Sequence, residues 1–486
     1  MVTKNETVVL TGATGYVGQL ILSELSQKFK EVRCLTRSPE KLTGLPENCQ
    51  VLKVDLLQEH QIDEALEGAS VAFYLVHSLN DSDDFENLES VSAMNFAQAA
   101  ARNKLKRLVY LGALARASTD SSPHMRSRHI VGDILRESGV PTFELRASVI
   151  IGAGSMPFES IRALVERLPM MIIPRWVRQP LQPIAASDLK IHLLRAAEIR
   201  TDTSQVIEIG GSDVISFLDL MKIYAKARGL RRLMINVPVI SPSLSSHWLR
   251  IFTPAHYQVG RRIVDSSMHD SVVTQEPVLE FAIPALSVSG AVDKALKDER
   301  ESLDFMENMD DSTSTKMAVK RSTIGTRFVE QRIVSMRSDV ATASRALGRT
   351  GGQYGWHWAT WLWKLRALID RCVGGVGYRE AVRSSTLREG DVLNFWSVRR
   401  SESTRLTLEA DMRLPGEAIL DLRITDLKNG EADEVNIVHT VSFNPKGFLG
   451  FVYWYTLFPI HTLVFSKMIK SMVAKIEAEY VPADRF

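Results

Sequence analysis

Three glycines separate the first predicted strand from the first predicted helix, in the segment VVLTGATGYVGQLI at residues 8–21. At Gly12, Gly15 and Gly18 a Cβ would keep the backbone N–H groups away from a bound phosphate, and the start of the helix supplies positive potential. A glycine triplet alone is weak evidence, but this one follows a β-branched run and precedes a helical pattern. The segment therefore predicts a turn that binds the pyrophosphate of a dinucleotide, with a tight turn lacking a ligand as the alternative.

The rest of the N-terminal part repeats the alternation of strand and helix. The apolar, β-branched runs within residues 7–112 are separated by helical stretches and read TVVLTGA, VRCLTR, VLKVD, SVAFYLV and RLVYLGA. This pattern predicts an α/β fold with a doubly wound parallel Rossmann sheet. The alternation continues through PTFELRASVIIG and VIEIGG, and a mostly helical segment at 213–300 is assigned to a substrate-side subdomain.

A change in composition marks the boundary of a second domain. The segment KDERESLDFMENMDD at 297–311 is charged and acidic, and the polar STSTKMAVKRST follows it. Such segments cannot bury enough apolar surface to hold a core. We therefore expect a first domain at 1–300, a linker at 301–325 and a second domain at 326–480. The order of strand, helices, alternating strands and long helix in the second domain predicts a separate α+β fold.

The end of the second predicted strand indicates which dinucleotide is bound. In NAD-binding domains an acidic residue stands here and contacts the ribose hydroxyls. Thr36 and Arg37 occupy this position, and a guanidinium suits a 2′-phosphate through its several N–H donors. Arg37 therefore favours NADP over NAD, unless it is a solvent-exposed arginine at the edge of a loop.

Several motifs give the chain a specific resemblance. TGATGYVG with its GxxGxxG spacing, the pair Asp55 and Leu56, Asn95, and LRASVIIGAGS resemble the atypical, extended-type short-chain dehydrogenases. YLVHSL, YLGAL, SPHMRSR and PRWVRQPLQPIAASDL are similar to a bacterial subgroup that carries a C-terminal domain of unknown function. This subgroup is related to the NmrA-like proteins and to the dehydrogenase-like accessory subunit of respiratory complex I.

The resemblance implies a cofactor site. The glycine turn would hold the pyrophosphate, Arg37 the 2′-phosphate, and Asp55 with Leu56 the adenine, while Leu75 and His77 would lie beside the nicotinamide ribose. The residues expected to contact the cofactor are Gly12, Thr14, Gly15, Tyr16, Val17, Gly18, Arg37, Asp55, Leu56, Leu75 and His77.

Two residues depart from the pattern of the active relatives. Those relatives use a Tyr that donates a proton and a Lys four residues later, where this chain has His124 and Arg128. An imidazole can donate a proton near neutral pH, whereas a guanidinium keeps its proton and can only bind ribose hydroxyls. His77 is a further candidate donor, at the end of a strand where α/β folds bind ligands. Three alternatives remain for His124. It binds the cofactor without taking part in chemistry, it is a surface histidine, or it has been aligned with the wrong position of the relatives.

Two functions therefore remain open. One is an NADPH-dependent reductase of a hydrophobic carbonyl or quinone-like acceptor, since hydride transfer requires only a bound nicotinamide and an oriented acceptor. The other is a non-catalytic cofactor sensor whose C-terminal domain holds a hydrophobic ligand or partner. The departures at His124 and Arg128 are the reason for keeping the second.

The second domain concentrates four tryptophans in GWHWATWLWKLRALIDRCV, at Trp356, Trp358, Trp361 and Trp363. Placed on one helix, they cover more than one face, so they either line a cavity or fill a core. The order of elements is similar to the helix-grip fold of START-like proteins, in which a curved sheet wraps a long C-terminal helix. That resemblance implies an apolar cavity for a hydrophobic small molecule.

Residues 447–465 contain no Asp, Glu, Lys or Arg. This length just reaches the roughly 20 apolar residues of a spanning helix. Pro459 and His461 interrupt the stretch, and the strands before it need a helix to cover their apolar face. We expect a buried or groove-lining helix, with peripheral membrane contact as the alternative.

The charge and the cysteine content argue against a nucleic-acid partner and against a metal site. Lys and Arg number 59 and Asp and Glu 57, and the net charge of +2 offers no electrostatic basis for binding nucleic acid. Cys34, Cys49 and Cys372 lack the spacing of metal ligands. No metal site is predicted, and the thiols are expected to be free in a reducing compartment. The polar start MVTKNE lacks the features of a signal peptide, which predicts a cytoplasmic protein.

Overall fold

A computed structural model provides the structure of the chain. It describes residues 4–42, 44–77, 85–114, 123–237, 270–276, 278–306, 318–324, 326–350, 356, 358, 360–372, 374–379, 387–426 and 434–480. The chain forms two compact units, an N-terminal unit of residues 1–165 with 170–301 and a C-terminal unit of residues 166–169 with 302–486.

A parallel seven-stranded sheet forms the centre of the N-terminal unit. Its strands are β1 (Thr7–Thr11), β2 (Glu31–Thr36), β3 (Cys49–Lys53), β4 (Val71–Tyr74), β5 (Arg107–Ala113), β6 (Thr142–Ala147) and β11 (Gln205–Ile209). They lie in the order β11-β6-β5-β4-β1-β2-β3, and every neighbouring pair is parallel. The sequence predicts all seven strands, and the α/β Rossmann fold class is confirmed.

Helices cover both faces of this sheet. The helices of this unit are α1 (Tyr16–Lys28), α2 (Glu59–Leu66), α3 (Phe85–Arg102), α4 (Pro123–Arg136), α5 (Met156–Arg167), α6 (Ala186–Glu198), α7 (Phe217–Ala227) and α8 (Val288–Met306). Apolar side chains of α1 and α6 form a core on one face, and those of α2, α3 and α4 form a core on the other. Burial on both faces explains why the strands appear in the sequence as nearly continuous apolar runs.

The strand order reverses between β1 and β4. From β1 the chain proceeds outwards to β2 and β3, and then crosses to β4 on the other side of β1. In open parallel sheets such a reversal leaves a crevice beyond the carboxyl ends of the two strands, where ligands bind. The fold therefore places a binding site next to the segments that follow β1 and β4.

Short strands follow the main sheet. They are β7 (Ile150–Ile151), β8 (Met170–Ile173), β9 (Pro180–Leu181), β10 (Ile184–Ala185), β12 (Ile215–Ser216) and β13 (Leu233–Asn236). They form the pairs β7 with β10, β9 with β12, and β8 with β13. The segment at 213–300, predicted to be mostly helical, contains α7 and α8 but also β12 and β13. Its residues 238–269 lie outside the described part.

The C-terminal unit contains an antiparallel sheet with helices. The strands are β14 (Ala318–Ile324), β15 (Arg327–Arg337), β16 (Val392–Leu393), β17 (Trp396–Glu402), β18 (Arg405–Ala410), β19 (Gly416–Asp426) and β20 (Glu434–Pro445), and the helices are α9 (Val340–Gly348), α10 (Thr360–Cys372) and α11 (Gly447–Glu479). The sheet order is β14-β15-β20-β19-β18-β17-β16. Buried side chains of the sheet and the three helices form one core. The predicted α+β class of the second domain is confirmed.

The prediction that residues 301–325 form a linker is wrong at both ends of this segment. Helix α8 continues to Met306, and residues 318–324 form β14, which pairs with β15. Strand β14 lies at the edge of the sheet, where charged side chains such as Arg321 remain in contact with solvent. A polar composition therefore did not exclude a strand here.

Candidate functional site

A cavity of about 640 Å³ opens at the reversal of strand order in the N-terminal unit. Its wall includes every residue predicted to contact a cofactor and all three candidate catalytic residues: Gly12, Thr14, Gly15, Tyr16, Val17, Gly18, Arg37, Asp55, Leu56, Leu75, His77, His124 and Arg128. These residues follow four different strands or lie near the starts of α1 and α4, and the sheet brings them together. The volume lies within the usual range for ligand pockets.

The glycine turn is packed too closely for side chains at two of its positions. Gly12 has φ +68°, and a Cβ there would lie 2.7 Å from the carbonyl oxygen of Leu75. A Cβ at Gly18 would lie 2.3 Å from the carbonyl oxygen of Gly12. Gly15 precedes α1 and offers no side-chain cap for its first N–H groups. A phosphate placed here would meet those N–H groups directly.

Thr11 fixes the turn against the neighbouring strand. Its Oγ1 donates a hydrogen bond to the carbonyl oxygen of Phe73 (3.0 Å) and accepts one from the N–H of Leu75 (3.0 Å). This buried hydroxyl holds the ends of β1 and β4 together where the strand order reverses. Sequence reasoning missed Thr11, because its partners lie more than sixty residues away along the chain.

Two cationic side chains line one end of the cavity, next to the segments that follow β2 and β3. Arg37 is exposed, and Ser38 and Lys41 line the same wall. The Oγ1 of Thr36 accepts a hydrogen bond from the N–H of Ser38 (3.0 Å), which shapes the loop that carries them. Two cations and a hydroxyl at this position suit the 2′-phosphate of NADP. The sequence motif had indicated Arg37 but not Lys41.

A buried carboxylate holds one of the candidate histidines. Glu89 on α3 accepts from His77 at Nδ1 (2.8 Å) and from the hydroxyl of Ser127 on α4. Burial alone would raise the pKa of Glu89, but His77, Ser127 and Arg128 outweigh it and lower that pKa to about 2. Glu89 is therefore ionised at neutral pH, and its charge favours a proton on Nδ1 of His77.

The second candidate histidine lies against the first. The ring centroids of His77 and His124 are 4.6 Å apart, with the planes tilted by 55°. His124 begins α4, and His77 follows β4. The two residues are far apart in sequence. They meet because His77 binds Glu89 on α3 and because α3 packs against α4, which carries His124. The structure thus forms a cluster of His77, His124, Glu89 and Ser127, of which sequence reasoning found the two histidines only.

Arg128 is held at the cavity wall by backbone contacts. Its Nη1 donates to the carbonyl oxygen of Leu111 (3.0 Å), and its own carbonyl oxygen accepts from the hydroxyl of Tyr110 (2.9 Å). Burial raises the pKa of the Tyr110 phenol to about 12. Tyr110 therefore stays protonated and supports α4, while the guanidinium of Arg128 remains on the wall of the cavity.

Ser148 adds a hydroxyl that the sequence did not indicate. It follows β6 directly and lines the cavity. Its Oγ is buried and makes no hydrogen bond within the described part of the chain. Buried hydroxyls are normally paired, so this group is suited to hydrogen-bond a ligand in the cavity.

Acidification is expected to remove the contribution of Glu89 to stability. Its pKa in the folded protein lies below the ordinary value of 4.5, so the ionised form stabilises the fold above that pH and the stabilisation is lost as the pH falls towards 2. The loss amounts to about 3 kcal/mol. Urea unfolding of the wild type and Glu89→Gln would measure it, because the difference in their free energies of unfolding should shrink over this range. A difference that does not change with pH would contradict the role of Glu89.

The tryptophans of the C-terminal unit are divided between core and surface. Trp356 and Trp363 are buried and pack with Phe395 and Trp396, at centroid distances of 5.5–6.2 Å. Trp361 is 65 % exposed. Trp356 and Trp358 precede α10, so the four do not share one helix as predicted. Interior tryptophans fill the core at these positions, and Trp361 lines no interior space.

No group of three or more His, Cys, Asp or Glu side chains suited to a metal ion occurs among the described residues. Cys34, Cys49 and Cys372 are free thiols. Burial, with a smaller effect of Cys49, raises the pKa of the Cys34 thiol to about 12, so this thiol is unreactive at neutral pH.

Comparison with known proteins agrees with the division into two units. Residues 12–149 match a family described as NAD(P)H-binding, and residues 323–468 match one described as a protein of unknown function (DUF2867). The N-terminal unit is thus an NAD(P)-binding Rossmann domain similar to those of short-chain dehydrogenases and reductases. The match of the C-terminal unit identifies a domain family but no activity.

Curated relatives match the N-terminal unit over short stretches. A (4-alkanoyl-5-oxo-2,5-dihydrofuran-3-yl)methyl phosphate reductase of Streptomyces griseus is 30 % identical over 135 residues, which is 28 % of this chain and 44 % of the relative. A dihydroflavonol 4-reductase of Dianthus caryophyllus is 28 % identical over 121 residues, 22 % of this chain and 34 % of the relative. The chain spans less than half the length of these relatives.

Solved structures support the fold. The triphenylmethane reductase of Citrobacter sp., complexed with NADP(H), superposes with a TM-score of 0.50 at 17 % identity. The match covers 60 % of this chain and 99 % of the reductase. At this identity the likeness concerns the fold alone.

Proposed function

We propose that the protein, with an NAD(P)H-binding Rossmann domain as its N-terminal unit, is an NADPH-dependent reductase of a hydrophobic carbonyl or quinone-like acceptor. The observation that carries the proposal is a single cavity with a phosphate-binding turn and cations along one part of its wall and a histidine–carboxylate cluster along another. The reductases among the curated relatives are consistent with this reaction class.

Each part of NADPH can be matched to a group of residues on the cavity wall. The N–H groups at the start of α1 would bind the pyrophosphate, because no side chain caps them. Arg37 and Lys41 would bind the 2′-phosphate. The bound nicotinamide would supply the hydride, and the hydroxyl of Ser148 would orient either its amide or the acceptor carbonyl.

His77 is the proton donor in this proposal. A general acid must be held in place and must titrate near the working pH, and Glu89 holds His77 by a 2.8 Å contact at Nδ1. The anionic Glu89 stabilises the imidazolium, and the ring would give its proton to the acceptor oxygen from its place on the cavity wall. His124 lies against this ring and positions it. Arg128 keeps its charge throughout and would bind hydroxyl groups of the ribose.

Removal of the two cations should change cofactor preference. In Arg37→Gln and Lys41→Gln, we expect the Kd for NADPH to rise by about tenfold each, because each loses a charged hydrogen bond to the 2′-phosphate. The Kd for NADH should stay the same, since NADH lacks that phosphate. Calorimetric titration with both nucleotides measures the effect, with Lys53→Gln on β3 as a control. Equal weakening for NADH and NADPH would contradict the assignment.

A non-catalytic cofactor sensor is the second candidate. The observation in its favour is that an arginine, Arg128, stands where active relatives have a lysine that lowers the pKa of the proton donor, and its guanidinium is engaged with the carbonyl oxygen of Leu111. Tight NADPH binding without NADPH oxidation across a panel of quinones and aldehydes would select this function over the reductase.

The C-terminal unit is proposed to be a helix-grip domain that holds a hydrophobic small molecule. Support comes from its antiparallel sheet and the long helix α11 that packs on it. Native mass spectrometry of the purified protein should show a bound apolar molecule. A protein that carries no such molecule after expression and gains none from added quinones or lipids would contradict this proposal.

A further inference from the structure

One face of α11 packs on the sheet of the C-terminal unit, and the opposite face does not. On the packed face, the Trp454 ring stacks on Phe328 and Phe443, with centroids 5.1 and 5.5 Å apart, and Met468 is buried further along. The opposite face carries large apolar side chains that are each at least 44 % exposed: Phe448, Leu449, Val452, Tyr455, Ile460 and Leu463. The expectation of a buried helix at 447–465 therefore holds for one face only.

The exposed side chains of α11 form a continuous stripe. They recur at helical spacing, with Thr456 and Pro459 between them on the same face. From residue 448 to residue 463 the stripe is about 22 Å long at the rise of an α-helix. Soluble proteins rarely expose a continuous apolar surface of this kind unless it binds something.

Helix α10 presents a second exposed stripe. Trp361, Leu365, Leu368 and Ile369 are each at least 47 % exposed and fall at positions i, i+4, i+7 and i+8. The two helices contact each other, since Arg366 donates to the hydroxyl of Tyr453 (3.3 Å). Trp363 on α10 also lies 5.9 Å from Phe465 on α11, measured between ring centroids. Two neighbouring helices thus each carry an exposed apolar face.

The exposed charges beside the two apolar stripes are positive. Residues 447–476 contain no Asp or Glu, and Lys467 and Lys470 continue the exposed face of α11 beyond Leu463. On α10, Lys364 and Arg371 are exposed, and the single acidic residue, Asp370, is buried and accepts from the backbone N–H of Gly377 and of Arg413. Apolar stripes with exposed aromatic rings and flanking cations are typical of helices that lie in a bilayer interface.

We propose that the exposed faces of α10 and α11 dock the protein on the surface of an anionic phospholipid bilayer. By length and composition, α11 is the one helix among the described residues that could cross a membrane. Its contacts with the sheet through Trp454 and Met468 favour lying in the interface instead, because crossing would expose that buried core. A symmetric dimer through this face would bring the same cations of two copies together, whereas anionic lipid complements them.

Vesicle flotation of the full-length protein tests the proposal. Vesicles of phosphatidylcholine with an equal part of phosphatidylglycerol should float the protein, and vesicles of phosphatidylcholine alone should float much less of it. Added salt should weaken the binding, because it screens the contribution of the lysines. Protein that stays unbound to the anionic vesicles at low salt would overturn the proposal.

Surface variants separate the apolar from the electrostatic contribution. The double variant Trp361→Ser/Leu449→Ser should bind the anionic vesicles about a hundredfold more weakly. Lys467→Gln/Lys470→Gln should weaken binding by about tenfold and reduce its salt dependence. Leu279→Ser removes an apolar residue that is 86 % exposed on the N-terminal unit and should change nothing. All of these positions are exposed, so the variants should keep the wild-type circular dichroism spectrum and NADPH affinity.

A second copy of the chain is the competing occupant of this face. In the absence of lipid, light scattering should therefore give the same mass for the wild type and for Trp361→Ser/Leu449→Ser. A dimer that this double variant converts to a monomer would assign the face to self-association and overturn the membrane proposal.

Discussion

Replacement of His77 with alanine is expected to lower the kcat for NADPH-dependent reduction by about 10²- to 10⁴-fold, the usual contribution of a general acid. The ring is held by the ionised carboxylate of Glu89, so its replacement removes a positioned proton donor from the cavity wall. Steady-state rates with quinone and aldehyde acceptors measure the effect. NADPH affinity is measured in parallel, because a loss of binding alone would assign His77 to the cofactor site.

Two further variants make this result specific. In Glu89→Gln the imidazolium of His77 loses its anionic partner, so the alkaline limb of the kcat profile should move to lower pH. A purely structural role of Glu89 would lower activity without moving that limb. His60→Ala, at an exposed position on α2, is the control and should leave kcat unchanged. If His124→Ala abolishes turnover while His77→Ala does not, the proton comes from His124 and the proposal must be reversed.

Substitution of Gly18 by valine should abolish cofactor binding, with Kd for NADPH raised by about 10³-fold or more. The reason is geometric, because a Cβ at this position would lie 2.3 Å from the carbonyl oxygen of Gly12 and 2.9 Å from the Cα of Ala13. Helix α1 would have to move away from the turn, and its N–H groups could no longer meet the pyrophosphate.

The control for this variant is Gly290→Ala on α8. A Cβ there would approach only the side-chain oxygen of Ser287, at 3.3 Å, and a side-chain atom at 3.8 Å. Fluorescence titration with NADPH, together with the thermal unfolding midpoint of each variant, separates lost binding from lost folding. A Gly18→Val protein that is folded and binds NADPH normally would contradict the phosphate-binding role of the turn.

Local features of the sequence were sufficient for the N-terminal fold. The central strands β1 and β4 are buried on both faces, so each leaves a short apolar run in the sequence, and the glycine turn follows the first of them. The residues after the strand ends could be assigned to one site because carboxyl ends of parallel strands meet at one edge. The motif match at Arg37 and His124 also rests on residues close together in sequence.

The histidine–carboxylate cluster could not be found in this way. Glu89 has no motif of its own and lies twelve residues from His77 and thirty-eight from Ser127. Packing of α3 against α4 brings the three together, and nothing in their spacing signals it. Ser148 is similar, because whether a hydroxyl after a strand is satisfied depends on neighbours that are distant in the chain.

By itself, the sequence determined the fold class of both units, the glycine turn before α1 and the identity of two histidines on the cavity wall, because these depend on short-range periodicity and on motifs. Only the tertiary structure decided which side of α11 is covered, that Trp363 is core and Trp361 is surface, and that Glu89 holds His77. Composition shows that a helix is apolar, but it contains no information about how many of its faces pack against other elements. That number depends on the sheet and helices that pack against it, which come from distant parts of the chain.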